Sequence, residues 1–152
     1  MTHSLVKNYI HMVFATKGRE NSLKEEDLPE MHSHMAKILQ KIGCIPIKIG
    51  GISNHIHILS LVSKNISVSE MAKTVKASSS KWIKEKRADY SQFAWQNGYA
   101  AFSVSQSKVP ATVDYIVHQK EHHLQKAFES ELIEFLDAYE LEYDERDLWA
   151  DD

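Results

Sequence analysis

The sequence is poor in the residues that would staple, export or embed it. Cys44 is the only cysteine, so an intrachain disulfide and a cysteine-built zinc cage are both excluded, and a reducing, cytoplasmic setting is expected. No stretch approaches the roughly 18 apolar residues of a membrane span. The segment "MTHSLVKNYIHMVFATKGR" lacks the uninterrupted apolar core of an export signal. Low-complexity tracts and internal repeats are missing as well. What is present, 43% hydrophobic and 26% charged residues, is the make-up of an ordinary globular protein, and 152 residues are expected to form one domain around one core.

The net charge of −3 conceals an asymmetry. Residues 1–128 carry 17 Lys and Arg against 10 Asp and Glu, whereas residues 129–152, read as an acidic C-terminal helix and tail, carry one Arg against 11 acids. Within residues 64–87, Lys64, Lys73, Lys76, Lys81, Lys84, Lys86 and Arg87 face only Glu70 and Glu85. Such a density can neutralise phosphates. Charge alone favours a solvated helix face over a phosphate-binding one.

Periodicity supplies an architecture. Residues 5–16, "LVKNYIHMVFAT", are β-branched and aromatic enough for a strand. From Ser22 to Ile42 the apolar positions Leu28, Met31, Met35, Ile38, Leu39 and Ile42 fall at helical spacing, and Gly43 stops the run. "CIPIKIGG" and "HIHILSLV" read as two strands of a hairpin joined through Gly-Ile-Ser-Asn. A second helix over residues 67–87 begins at a Ser-x-x-Glu capping box if Ser67 is the cap. "YAAFSVS" is a fourth strand, a third helix runs from Pro110 to about Phe128, and a short acidic helix covers residues 130–139. That order predicts an α+β fold of the ferredoxin-like, split-βαβ kind: an antiparallel sheet with helices on one face.

Within that frame, two histidines interrupt an apolar run, "GISNHIHILSLV". Alternate residues of a strand share a face, so His55 and His57 project together, roughly 6.5–7 Å apart, while Ile56 and Ile58 point the other way. Two such imidazoles can converge on one cation or be satisfied core histidines; spacing leaves both readings open. On the third helix, at 100° per residue, Val113, Ile116, Val117 and Leu124 share one face, and Tyr115, Gln119 and His122 the opposite one. Tyr115 and Gln119, at i and i+4, can be a nucleophile beside a metal ligand, or an interfacial tyrosine next to a solvated amide.

The His55-Ile56-His57 triplet, the basic "KASSSKW", the run "FAWQNGYAAFSVS", the segment "YIVHQKEHH" and the ending "EYDERDLW", in that order, resemble the HUH-type single-tyrosine transposases of bacterial insertion sequences. These are the IS200-like transposases, among them the REP-associated tyrosine transposases. The resemblance implies that His55, His57 and Gln119 bind a divalent cation, Mg2+ or Mn2+. It implies that Tyr115, carried on a C-terminal helix, attacks single-stranded DNA to form a 5′-phosphotyrosine and leave a 3′-hydroxyl, so that the DNA is rejoined without ATP. It further implies a homodimer acting on hairpin ends of a mobile element. Lys73, Lys76, Lys81 and Lys84 are then expected along the DNA backbone, His122 behind the ligands, and His118 and His123 on the surface. Trp95, Tyr99 and Phe102 suit either the core or stacking on bases. His11, His32 and His34 have no interpretable spacing. Two other functions stay open: a host-retained relative that binds structured single-stranded DNA or RNA without moving it, and a small metal-dependent phosphodiesterase.

Overall fold

Alternation along the first strand decides which side of the sheet is which. In the computed structural model, which describes residues 1–150, strand β1 (Tyr9–Ala15) buries Ile10, Met12 and Phe14 on one face and His11, Val13 and Ala15 on the other. β3 (His55–Leu61) pairs antiparallel with β1, setting Ile58 opposite Met12, Ile56 opposite Phe14, His57 opposite Val13 and His55 opposite Ala15. β2 (Ile45–Ile52) and β4 (Ala100–Val104) complete one antiparallel sheet in the order β2-β3-β1-β4. With a helix between β1 and β2 and another between β3 and β4, this is the ferredoxin-like arrangement read from the sequence. β1 starts later than residue 5 because both neighbours run out: the ladders end at Tyr9 opposite Leu61 and Val104.

Helices α1 (Leu28–Lys41) and α2 (Val68–Lys86) cover the Met12 face with Met31, Met35, Leu39, Met71, Val75 and Ile83, forming the larger core. α1 begins six residues after Ser22 because Pro29, which has no N–H, is tolerated only in a first turn. Gly43, at φ +83°, ends the segment as expected. The Ser67 cap is present, its hydroxyl accepting from the Glu70 N–H at 3.0 Å.

The other sheet face meets the C-terminal third of the chain. The expected helix from Pro110 to Phe128 is broken: α3 (Val109–Val117) stops at His118, a short α4 (Gln119–His122) follows, and α5 (Phe128–Ala138) begins after a loop. The continuous apolar stripe that would have held one long helix does not exist, since Val117 is 51% and Leu124 80% exposed. α5 instead docks Phe128, Leu132 and Leu136 on Val13, Ala15 and Phe102, making a second core. A last turn, α6 (Glu145–Leu148), follows; the expected acidic tail ends in Asp151 and Asp152, outside the described residues. Among the described residues, no helix is long and apolar enough to cross a membrane.

α3 crosses β2 at Gly50, where a Cβ would lie 2.7 Å from both the carbonyl oxygen and Cγ2 of Ile116. Gly50→Ala is therefore expected to lift α3 from the sheet and cost about 1–3 kcal/mol, read as a lowered denaturant midpoint. An unchanged midpoint would mean that this close approach is not needed.

Candidate functional site

His55 and His57 sit in mid-sheet between the two docked segments, and neither has any exposed surface. β3 aims both Nε2 atoms at one point, where α4 and α5 deliver two oxygen-bearing side chains. His55 Nε2 lies 2.9 Å from Gln119 Oε1 and 3.5 Å from Glu131 Oε1, and His57 Nε2 lies 2.9 Å from the same Glu131 oxygen. The second carboxylate oxygen, Glu131 Oε2, accepts hydrogen bonds from the Tyr115 hydroxyl and, at 3.3 Å, from Gln119 Nε2. His123 Nε2 lies 3.0 Å from Gln119 Oε1 and 3.2 Å from Glu131 Oε2. Residues 55, 57, 115, 119, 123 and 131, from three separate stretches of chain, thus form one cluster.

Proton accounting shows what the cluster can hold. Burial, then His57, drives His55 down to about 3, so its ring is neutral at pH 7 and has one proton to share. Yet it faces two oxygens, Asn54 Oδ1 at 2.8 Å from Nδ1 and Gln119 Oε1 at 2.9 Å from Nε2. A ring donating to Asn54 turns a bare Nε2 towards the amide oxygen, a pairing of lone pairs that a cation relieves. A buried His55–His57–Glu131 group, with ligand atoms within 4.8 Å of one another, could hold a metal ion, and Gln119 Oε1 adds a further oxygen. Two imidazoles with a carboxylate suit manganese better than magnesium, which prefers all-oxygen surroundings.

The charges around this point are matched. Burial opposes ionisation of Glu131, but hydrogen bonds from His123, His57 and Tyr115 outweigh it and hold its carboxyl far below the usual carboxylate range. Burial likewise opposes the charged form of His123, and there the Glu131 carboxylate and the Lys126 carbonyl prevail, raising the imidazole above its ordinary value. Burial, followed by the hydrogen bond and charge of Glu131, pushes the Tyr115 phenol well above 10. With Glu131 in this position the phenolate is disfavoured.

The site brings together His55, His57, Tyr115 and Gln119, and adds three residues that sequence reasoning passed over. Glu131 was counted with the acidic tail, although it falls at i+3 within the apolar face formed by Phe128, Leu132 and Leu136, where a charge is out of place. His123, expected on the surface, has a side chain only 5% exposed, because the break at His118 resets the helical wheel. His11, on β1, is 3% exposed and its Nε2 lies 2.7 Å from His57 Nδ1. His122 is exposed and stacks on Tyr115 at 4.8 Å between ring centroids, while His118 stays outside as expected.

The lysines of α2 lie across the sheet from this cluster, on the side of the larger core. Lys73, Lys81 and Lys84 are exposed, but Lys76 is half-buried and donates to the Gln96 and Gly98 carbonyls at 2.7 Å each, so its ammonium braces a loop. Trp95 and Phe102 are core residues, 8% and 2% exposed, and Tyr99 is on the surface.

A family model described as "Transposase IS200 like" matches residues 4–119, a span that includes His55, His57, Tyr115 and Gln119 and ends before Glu131. No curated protein sequence matches the chain. Among solved structures, a candidate transposase from Deinococcus radiodurans R1 is similar with a TM-score of 0.60 and 19% identity, over 76% of this chain and 93% of that one. A REP-associated tyrosine transposase bound to a REP hairpin is similar with a TM-score of 0.60 and 13% identity, over 80% of this chain and 72% of that one. At such identities the likeness is one of fold.

Proposed function

Because the chain belongs to the IS200-like transposase family, we propose that it cuts and rejoins single-stranded DNA by transesterification at the His55–His57–Tyr115–Gln119 cluster. One observation carries the reading: a tyrosine hydroxyl and a histidine pair able to hold a metal ion, far apart in sequence, share one buried carboxylate, that of Glu131. His55, His57 and Gln119 would hold a divalent cation, with Glu131 beside them. That cation supplies charge stabilisation on the non-bridging oxygens of the scissile phosphate.

The chain's own residues perform the rest. The Tyr115 oxygen attacks phosphorus, the DNA 3′-oxygen leaves as a hydroxyl, and a 5′-phosphotyrosine conserves the phosphoester for attack by another 3′-hydroxyl. The phenol loses one proton and the leaving 3′-oxygen takes one up, so the step balances; Glu131 Oε2, which accepts the hydrogen bond from the hydroxyl, would hold the phenol in place rather than act as a strong base. His123, paired with that carboxylate, offsets its charge. Because the histidine pair is wholly buried, the edge of α5 has to give way for the phosphate to arrive. Lys73, Lys81 and Lys84 would attract the sugar–phosphate backbone of a folded end, in keeping with the hairpin bound by one structural relative.

The test is direct. Protein mixed with single-stranded hairpin oligonucleotides and Mn2+ should give a denaturation-resistant protein–DNA adduct, whereas cutting without an adduct would point to hydrolysis instead. Moving a segment needs two cuts, so a homodimer is expected. Light scattering that gives the mass of one 17.4 kDa chain, with and without DNA, would count against it.

A further inference from the structure

Taking the metal reading of His55 and His57 as its basis, we infer that His11 is a positioning residue that fixes His57 with its Nε2 free for the cation. An imidazole that binds a metal through Nε2 must carry its proton on Nδ1, and that proton needs an acceptor when the ring is buried. His57 has no exposed surface, and the atom facing its Nδ1 is His11 Nε2, at 2.7 Å. His11 is held for this task. Its ring is 3% exposed and meets Phe135 edge-on at 5.2 Å and Phe102 at 6.2 Å.

A second imidazole suits the position better than a carbonyl would, because it can donate or accept. Without a cation, His57 Nε2–H donates to Glu131 Oε1 and His57 Nδ1 accepts from His11 Nε2–H. With a cation on Nε2, His57 would carry its proton on Nδ1 and donate it to His11 Nε2, the proton of His11 having moved from Nε2 to Nδ1. Each ring holds one proton in both arrangements, so the exchange releases none. Asn54 Oδ1, 2.8 Å from His55 Nδ1, plays the simpler acceptor part for the other histidine.

The test is Mn2+ binding by calorimetry on the full chain, with thermal melts as a control for folding. His11→Leu should keep the fold and bind Mn2+ about 10- to 100-fold more weakly. His11→Gln, whose amide can donate or accept, should recover affinity to within a few-fold of wild type. In a His57→Ala background, His11→Leu should add no further loss. Wild-type affinity in His11→Leu, or a Gln variant as weak as the Leu variant, would overturn the inference and leave His11 a packing residue. If His57→Ala itself left Mn2+ binding intact, the metal reading would fall and His11 with it. Should His11→Leu not fold, His11→Met against His11→Gln makes the same comparison.

Discussion

Tyr115→Phe is expected to form no denaturation-resistant adduct with single-stranded DNA under conditions where the proposed function requires the unaltered chain to form one. The substitution removes one oxygen, and with it the proposed nucleophile, so the expected loss is complete rather than graded. The same change is mild for the fold. Glu131 loses the hydroxyl as a partner but keeps His57 at 2.9 Å, His123 at 3.2 Å and Gln119 at 3.3 Å, so its charge stays compensated. The cost to stability is about 1–2 kcal/mol. The stack of the ring on His122 needs no hydroxyl. DNA binding through exposed lysines should persist. A water-using phosphodiesterase would keep cutting in the Phe variant, and a retained binding protein would form no adduct in either version. Adduct formation by Tyr115→Phe would remove that residue from the chemistry, whatever the fold.

The succession of strands and helices along the chain, the cap at Ser67 and the shared face of His55 and His57 were all legible, because each follows from a local rule: hydrophobic periodicity, hydroxyl chemistry, or the two-residue period of a strand. The interior of the site was legible only in part, for a reason that Glu131 illustrates. Its place depends on how α5 docks against β1 and β4, a long-range event that no spacing encodes, although the acid breaking an apolar helix face was visible. His123 shows a second limit. A helical wheel drawn straight through residue 118 puts His122 nearest Tyr115, and the break there, set by the absence of apolar surface to bury, turns His123 inward instead. His11 shows a third. Only the β1–β3 register brings it beside His57, and register is a property of the assembled sheet.

Chelator-treated protein is expected to lose several kcal/mol of stability between pH 6.5 and pH 5. Burial, with His57 as the next contributor, lowers His11 and His55 from the ordinary 6.5 to about 3. In this window the unfolded chain takes up a proton at each position and the folded chain does not. Both groups therefore contribute stability that is fully present above about pH 6.5 and is lost as pH falls towards 3. At about 1.4 kcal/mol per pH unit per group, two histidines over 1.5 units remove on the order of 4 kcal/mol. His32, lowered to about 4 by burial and then Lys48, acts in the same direction, with a buried Nε2 that has no partner. His123 acts oppositely. Its raised value gives stability that is complete below 6.5 and fades as pH climbs through the folded value, so it steepens nothing on the acid side. Glu131, held low, protects down to the ordinary carboxylate range and adds to the loss only below about pH 4.5. A domain of this size is commonly stable by about 5–15 kcal/mol, so the loss is a large fraction of the total and is read as a lowered denaturant midpoint. Denaturant melts at pH 7, 6.5, 5.5 and 5 measure the slope. His32→Leu should reduce it, and a flat profile across the window would mean that His11 and His55 are not held neutral by burial.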